Sequence, residues 1–290
     1  VVESDLGEYI IQLAKEAPSH IIAPAIHKNR QQIAQLFSDV SGEELPEDTA
    51  ALTQFARRRL RQSFLNADMG ISGCNFGVAE TGSIVLVSNE GNARLTTTLP
   101  KIHVVMMGME RLVPRWEDLD VLLTLLPRHA TGQKLTSYVT VLSGPRRYGD
   151  LDGPEEMHVI IVDNGRSNAL GSPYQSVLQC IRCGACLDVC PVYRHIGGHA
   201  YGSVYPGPIG AVLTPVLQGL DGWEALPYAS SLCGACSEVC PVRIPLHDLL
   251  INLRQDELSQ KQSSVLERNV FRLFRLAIQS PKLYRLSLKV

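Results

Sequence analysis

The sequence lacks any long apolar run and any strong net charge. No stretch approaches the roughly 20 apolar residues that a helix needs to cross a bilayer. The formal net charge is −2, so no overall field attracts the chain to nucleic acid or to anionic lipid. We therefore expect no nucleic acid partner and no transmembrane segment.

The first residues also lack two features. Residues 1–5 have neither the basic start nor the apolar core of a signal peptide. We expect a cytoplasmic protein, with peripheral attachment to the inner face of the membrane as the alternative. An initiator methionine is missing as well, so we expect a fragment of a longer protein.

A dinucleotide fingerprint is a further absence. The pattern Gly-x-Gly-x-x-Gly does not occur between a predicted strand and a predicted helix. The sequence therefore predicts no site for a nicotinamide or a flavin. Oxidation of a substrate by two electrons needs a hydride or radical acceptor, and this chain shows none.

Cysteine is present but unevenly placed. The chain has 8 cysteines, and all but Cys74 lie between Cys180 and Cys240. Disulfide scaffolds belong to short secreted chains in oxidising compartments, whereas clustered thiols in a cytosolic chain indicate metal. Cys74 stands alone, and we expect it to be a small core hydrophobe.

The first cysteine group reads Cys180-x2-Cys183-x2-Cys186-x3-Cys190-Pro191. This is the bacterial ferredoxin run, in which the fourth cysteine binds the other cluster. By that rule cluster one is held by three cysteines of this group and the last cysteine of the second group. The predicted ligands of cluster one are Cys180, Cys183, Cys186 and Cys240.

The second group, Cys233-x2-Cys236-x3-Cys240-Pro241, repeats the pattern without its first cysteine. Ser230 stands in that place, so cluster two has three predicted thiolate ligands: Cys190, Cys233 and Cys236. Its fourth ligand is Ser230, a water or a substrate, and the cluster is a 4Fe–4S or a 3Fe–4S form. Structural zinc is the alternative, but it gives no reason for the two Cys-Pro endings.

Helical and strand patterns alternate over residues 1–170, which predicts an α/β domain. Helices are expected over 28–37, 47–66 and 117–126, and strands over 19–26, 83–87, 102–107, 137–142 and 157–162. Gly171, Ser172 and Pro173 form a breaker. An α-helical two-cluster ferredoxin domain is expected over 171–255 and a helical tail over 256–290.

Several motifs resemble the lactate utilisation protein B family, the iron–sulfur subunit of the bacterial L-lactate utilisation complex. They cover 180–194, 196–202, 205–210 and 230–242, and upstream 79–83, 89–94, 144–147 and 151–155. The family also carries Ser-Ser-Leu-Cys at the place of Ser230, so the missing cysteine agrees with the resemblance. Family members are longer at both ends.

The resemblance implies a function that spacing alone does not. Family members act with two other subunits to oxidise L-lactate to pyruvate, which allows growth on lactate. This subunit carries the electrons to an acceptor of unknown identity, and is a non-catalytic part of an oxidoreductase complex. The resemblance also implies an α/β domain similar to the sugar-phosphate isomerase and CoA-transferase type of fold.

An enzyme in its own right is the alternative function. It would bind a 2-hydroxy acid in the α/β domain and transfer the electrons from this substrate to the clusters. Arg94 could grip a carboxylate and His103 could move a proton. The candidate substrate pocket comprises Glu80, Glu90, Asn92, Arg94 and His103. Two ordinary explanations compete with it: Glu90, Gly91 and Asn92 suit a turn, and a histidine in an apolar strand, such as His103, is usually a core residue.

Two further features concern the surroundings of the clusters and the tail. His195 and His199 are candidates for hydrogen bonds to cluster sulfur. The tail is basic and amphipathic, which fits a partner subunit, a membrane surface or packing on its own domain. The basic amphipathic stretch runs from 268 to 285, and its basic residues are Arg268, Arg272, Arg275, Lys282 and Arg285.

Overall fold

The computed structural model describes residues 1–260 and 265–288. The strands are β1 (Met69–Ser72), β2 (Phe76–Val78), β3 (Ser83–Ser88), β4 (Ile102–Gly108), β5 (Leu112–Val113), β6 (Tyr138–Leu142) and β7 (Glu156–Val162). The helices are α1 (Leu6–Ala14), α2 (Arg30–Ser41), α3 (Thr49–Asn66), α4 (Asn92–Thr98), α5 (Trp116–Ala130), α6 (Arg166–Ala169), α7 (Ala185–Asp188), α8 (Pro191–Ile196), α9 (Gly207–Gln218), α10 (Ala235–Glu238), α11 (Leu246–Gln260), α12 (Val265–Gln279) and α13 (Pro281–Ser287).

The chain opens with three helices that each begin at a side-chain cap. Asp5 and Asp48 cap α1 and α3, and Asn29 forms a capping box with Gln32 at the start of α2. The apolar faces of the three helices meet in one cluster, in which Phe37 is 1% exposed. This bundle precedes the sheets and is separate from their cores.

Two sheets follow, as the alternating pattern predicts. One is parallel, with the strand order β1-β4-β7. The other is mixed, with the order β5-β2-β3-β6, in which β2 pairs antiparallel with β3 and parallel with β5. The N-terminal part is therefore an α/β domain with mixed sheets, and the strands predicted over 83–87, 102–107, 137–142 and 157–162 are confirmed.

The strand predicted over 19–26 is wrong. The structure has an irregular segment there, because local hydrogen bonds replace strand pairing. The Nδ1 atom of His20 accepts from the backbone N–H groups of Ile22 and Ala23 at 3.0 and 3.1 Å. Pro24 has no N–H to offer to a ladder, and its carbonyl accepts instead from the backbone of Ser19.

The C-terminal part is helical and packs around α9 and α11. Ile209 and Leu213 of α9 and Leu246 and Leu250 of α11 are buried in one apolar cluster. The same cluster includes the side chains of Cys190 and Cys236. The cysteine loops are thus part of this core. The domain limits of 1–170, 171–255 and 256–290 stay predictions.

Residues 17–22, which we call the strap, join the two parts. The Tyr193 hydroxyl donates to the carbonyl of Ser19 at 2.7 Å, and His199 Nε2 donates to the carbonyl of Ala17 at 2.7 Å. A Cβ at Gly198 would lie 1.8 Å from the same Ser19 carbonyl oxygen. Only a glycine at position 198 allows the strap to approach the segment after α8 this closely.

The tail contains α12 and α13, while residues 261–264 and 289–290 of the predicted tail lie outside the described residues. α12 buries none of its residues, and its apolar side chains, such as Phe271 and Phe274, are exposed. Arg268, Arg272 and Arg275 share one side of a helix of 3.6 residues per turn, and Val270 and Leu273 lie on the other side. In the part that is described, no helix has the length and apolar character needed to cross a bilayer.

Candidate iron–sulfur centres

The first cysteine loop is shaped by two residues in the left-handed region. Arg182 has φ 63° and Gly184 has φ 79°, which turns the chain tightly between Cys180 and Cys186. The turn aims the backbone N–H of Arg182 at the Cys180 sulfur, 3.4 Å away. The loop then enters α7, and α8 begins after Cys190 with Pro191 at its first position.

The second loop repeats this backbone. Leu232 has φ 56° and Gly234 has φ 83°, at the places of Arg182 and Gly184. The N–H of Leu232 donates to the hydroxyl of Ser230 at 3.1 Å, as the N–H of Arg182 donates to the sulfur of Cys180. The Ser230 hydroxyl therefore occupies the position in the second loop that the Cys180 thiol occupies in the first.

One cavity collects cysteines from both loops. Its empty volume, including the solvent at its mouth, is about 360 Å³. The cysteines that line it are Cys180, Cys183, Cys186 and Cys240. The rest of the lining is mainly apolar and includes Ile21 from the strap and Ile209 from α9. The four thiols thus line one mainly apolar cavity, the arrangement expected of ligands that share a metal–sulfur cluster.

Burial controls the acidity of these thiols. It raises the pKa of Cys183 to about 11, and it raises the pKa of Cys180 and of Cys186 as well. At Cys180 the positive charge of Arg182, its backbone N–H and the charge of Arg111 act against this rise. Buried thiols become thiolates only when a cationic group compensates their charge, and the core of an iron–sulfur cluster is such a group.

The other three cysteines of the two groups are the predicted ligands of cluster two. Cys190 and Cys236 are buried, whereas Cys233 is exposed. Burial raises the pKa of Cys236, and the nearby thiols of Cys190 and Cys233 add to the rise. Hydrogen bonds from the backbone of Ala235 and the side chain of Ser231 lower the pKa of Cys233. These three thiols are therefore close in space, with one at the surface.

The surroundings of Cys190 fit a cluster. Burial, and then the charge of Cys190, raises the pKa of Tyr201. The buried Tyr201 hydroxyl faces the Cys190 thiol, but within the described residues it has no partner that meets full hydrogen-bond geometry. A cluster sulfur beside Cys190 would accept this hydrogen bond. Cys236 also acts on the pKa of Cys186, so the two cysteine groups are neighbours.

A single metal ion requires a different arrangement. A zinc ion holds its sulfur ligands at about 2.3 Å, all around one point. In residues 1–260 and 265–288, no three His, Cys, Asp or Glu side chains are arranged to hold one ion in this way. The cysteines surround a cavity instead.

The candidate substrate residues are spread over the α/β domain. Glu80 lies before β3 and accepts from the backbone of Trp116, whereas Glu90 lies after β3. The strand spans about 20 Å, so Glu80 and Glu90 lie at opposite ends of it. Asn92, at the start of α4, donates to Asp5 at 3.3 Å.

The other two candidates differ in exposure. Arg94 is exposed. His103 is 1% exposed, and its Nε2 atom lies 2.8 Å from the Ser72 hydroxyl.

The remaining candidates have backbone or core partners. His195 donates through Nδ1 to the carbonyl of Pro191, and the Nε2 atom of His199 is engaged by Ala17. Cys74 is partly buried beside Val105 and Met107, as expected of a core side chain.

Several residues beside the cavity were not identified from the sequence. Ile21 lines the cavity from the strap. Arg111 donates to the carbonyl of Cys180 at 3.0 Å, and Arg182 contacts Glu110 at 3.1 Å. Arg182 lies inside the ferredoxin run and could have been noted there, whereas Glu110 and Arg111 are far away in the sequence.

Comparisons with known proteins agree with this geometry. The sequence matches the LUD domain over residues 1–162 and the 4Fe-4S dicluster domain over residues 176–244. Lactate utilization protein B from Shouchella clausii is 59% identical over 100% of this chain and 61% of its own length. The protein of the same name from Geobacillus kaustophilus is 58% identical over 100% of this chain and 61% of its length.

The chain thus spans only 61% of the length of these curated relatives. A solved structure of a DUF162 family protein from Deinococcus radiodurans covers 35% of this chain and 57% of its own, with 24% identity and a TM-score of 0.28. That likeness is too weak to carry an assignment. The two domain matches and the identity over the whole chain do carry one: this chain belongs to the LUD domain family, and it is similar throughout to lactate utilization protein B.

Proposed function

We propose that this chain holds two iron–sulfur clusters and passes electrons within a complex that oxidises L-lactate to pyruvate. One observation carries the proposal: cysteines from both loops line a single apolar cavity. The proposed ligands of cluster one are Cys180, Cys183, Cys186 and Cys240, and those of cluster two are Cys190, Cys233 and Cys236. When bound, the clusters would each carry single electrons. The chain supplies their thiolate ligands, hydrogen bonds to sulfur and a mainly apolar cavity.

Cluster two has an incomplete set of thiolates in this proposal. The Ser230 hydroxyl, which matches Cys180 in backbone setting, stands where the fourth ligand is expected. Serine is a poor substitute for a thiolate on a soft iron–sulfur site. We propose a 4Fe–4S cluster whose fourth iron is held by Ser230 or by water, and which loses that iron readily to give a 3Fe–4S form.

The lactate role rests on the relatives' printed name and on the absence of a hydride acceptor in the sequence. The alternative is a 2-hydroxy-acid oxidoreductase that binds its substrate in the α/β domain, for which the sugar-phosphate isomerase and CoA-transferase type of fold is proposed. Fold likeness does not transfer chemistry. The carrier role is favoured because a cavity lined by thiols suits an iron–sulfur cluster, and such a cluster carries electrons.

Other subunits of a lactate utilisation complex are the proposed partners, in the cytoplasm. The exposed amphipathic face of α12 supports docking on a partner subunit or on the inner face of a membrane. Arg268, Arg272 and Arg275 would then face anionic groups.

Exchange of single cysteines tests the ligand sets. We expect Cys240→Ser to destroy cluster one, although Cys240 follows the cysteines of cluster two in the sequence. Cys236→Ser should destroy cluster two and spare most of cluster one. EPR spectra and iron content of both anaerobically purified variants measure this. A Cys240→Ser protein that keeps cluster one and loses only cluster two contradicts the assignment.

The Ser230→Cys variant tests the fourth ligand of cluster two. Brief exposure of the unchanged protein to air should convert cluster two to a 3Fe–4S form, because one of its irons has no protein thiolate. A cysteine at position 230 should slow this conversion markedly, as followed by the EPR signal of the 3Fe–4S form. Ser259→Cys, at the exposed end of α11, is the matched control and should convert as the unchanged protein does. Equal conversion rates for all three proteins would show that position 230 does not provide a ligand to cluster two.

Lactate oxidation tests the proposed function itself. The isolated chain should not oxidise L-lactate with a dye as acceptor, because it holds no hydride-accepting group, whereas the chain with its partner subunits should. As a control, the dithionite-reduced chain should reduce the same dye, which shows that its clusters can deliver electrons. Steady turnover of L-lactate by the isolated chain, with iron as its only cofactor, would instead support the alternative function.

A further inference from the structure

A buried carboxylate gathers three arginines beside cluster one. Glu110 lies in the turn Met109–Arg111 after β4, and its side chain is 5% exposed. The Nε atom of Arg166 is 2.5 Å from one carboxylate oxygen, and a terminal nitrogen of Arg182 is 3.1 Å from the other. The Nε atom of Arg111 is 3.9 Å away. We call these four residues the Glu110 group.

The charges of the Glu110 group do not cancel. Arg111, Arg166 and Arg182 carry three positive charges and Glu110 one negative charge, which leaves an excess of two. The arginine side chains are only 11%, 9% and 15% exposed. Burial, and then the charge of Arg182, lowers the pKa of Arg111. Because an uncompensated buried charge is strongly destabilising, this excess needs an anionic neighbour.

Asp163 is another carboxylate in this region. Its side chain is bound by Ser167, and it lies at the surface, next to Arg166. Water screens it there, so it does little to compensate Arg111 and Arg182, which lie deeper. The close pair of Glu110 and Arg166 is nearly neutral as a unit. The excess therefore resides on Arg111 and Arg182.

Arg111 and Arg182 both contact Cys180. Arg111 donates from a terminal nitrogen to the Cys180 carbonyl at 3.0 Å, and the backbone N–H of Arg182 donates to the Cys180 sulfur at 3.4 Å. The guanidinium of Arg182 is held over the ring of Tyr205, 4.0 Å from its centre. The two cations are thus fixed at the edge of the cavity that Cys180 lines.

The missing anion has the charge of a cluster. Four thiolates around an oxidised 4Fe–4S core leave a net charge of about −2, and reduction adds one more negative charge. Cluster one in its proposed place would compensate the excess of the Glu110 group. The attraction grows when the cluster takes up an electron, because the reduced form is more negative.

The surroundings of the second cysteine group differ. The pKa of Cys233 is set by the backbone of Ala235, by Ser231 and by Glu238, and that of Cys236 by burial, by Ser237 and by neighbouring thiols. Among the described residues, no lysine or arginine is a leading influence on either thiol. Arg254 does approach the second loop, where it donates to the Ser230 carbonyl at 3.1 Å. One positive charge contacts the second loop there, against the two of Arg111 and Arg182 at the first.

We propose that the Glu110 group is a charge-compensating device through which the α/β domain stabilises the reduced form of cluster one and so raises its reduction potential. Arg111 and Arg182 act on the cluster, while Glu110 and Arg166 act as positioning residues that hold them. This proposal rests on the proposed function, since it takes cluster one as bound. It gives the α/β domain a part in electron transfer, because Glu110 and Arg111 belong to that domain's chain segment.

Potentiometric EPR titration of the iron-loaded full chain tests this proposal, with cluster two in the same molecule as the reference. Arg111→Gln and Arg182→Gln should each shift the midpoint potential of cluster one to more negative values. At a fixed potential this should lower its ratio of reduced to oxidised form roughly tenfold, as expected for a unit charge lost at partly buried sites. Glu110→Gln should shift the midpoint in the opposite direction.

Two control variants separate charge from structure. Arg182→Lys keeps the charge, so the midpoint potential of its cluster one should stay near that of the unchanged protein. Arg194→Gln removes an exposed arginine from α8 and should leave the potential of cluster one unaltered. Shifts of one common sign for Glu110→Gln and Arg111→Gln, or no shift with full iron content, would overturn the proposal.

Loss of iron is measured alongside the potentials. If Glu110→Gln fails to hold cluster one, the pair Arg111→Gln and Arg111→Lys decides, since only the first removes charge. Equal potentials for these two variants overturn the proposal. An unchanged protein without iron–sulfur clusters would instead overturn the proposed function.

Discussion

The arrangement of the C-terminal part depends on one constraint: thiols from two distant loops must face the same small cavity. Cys240 reaches the cavity of the first loop because the second loop copies the backbone of the first, with left-handed residues at equivalent places. The two loops pack on the core formed by α9 and α11. A change in either helix would therefore alter the distance between the loops, and with it the ligand set of both proposed clusters.

The α/β domain takes part in this site in two ways. The strap brings Ile21 to the wall of the cavity and is fixed by Tyr193, His199 and the close approach at Gly198. The turn after β4 brings Glu110 and Arg111 to the first cysteine loop. The cysteine run alone would leave Cys180 open to solvent on these sides, so the site is composite.

The sequence predicted the parts that depend on local spacing. Long apolar strands such as β4 and β7 were recognisable. The spacing of the cysteines and the Cys-Pro endings predicted the ligand sets, which stay predictions. The short strands β1, β2 and β5 were not, because two to four residues carry too little pattern. The apolar run from residue 19 suggested a strand, but the acceptor at His20 and the missing donor at Pro24 decided otherwise.

Contacts between distant residues outside the cysteine groups could not be predicted from the sequence. Nothing near Glu110 in the sequence reveals that it meets Arg182, because that pairing follows from how β4 and the first cysteine loop pack. Such contacts determine the charge around the site, whereas the spacing of the cysteines predicts the proposed ligands.

The metal content of the anaerobically purified chain tests the central claim most directly. Iron, acid-labile sulfide and zinc should be measured together on one sample. Two clusters of the 4Fe or 3Fe type predict about 7–8 iron atoms per chain with a similar amount of sulfide. Zinc with negligible iron and sulfide would contradict the account.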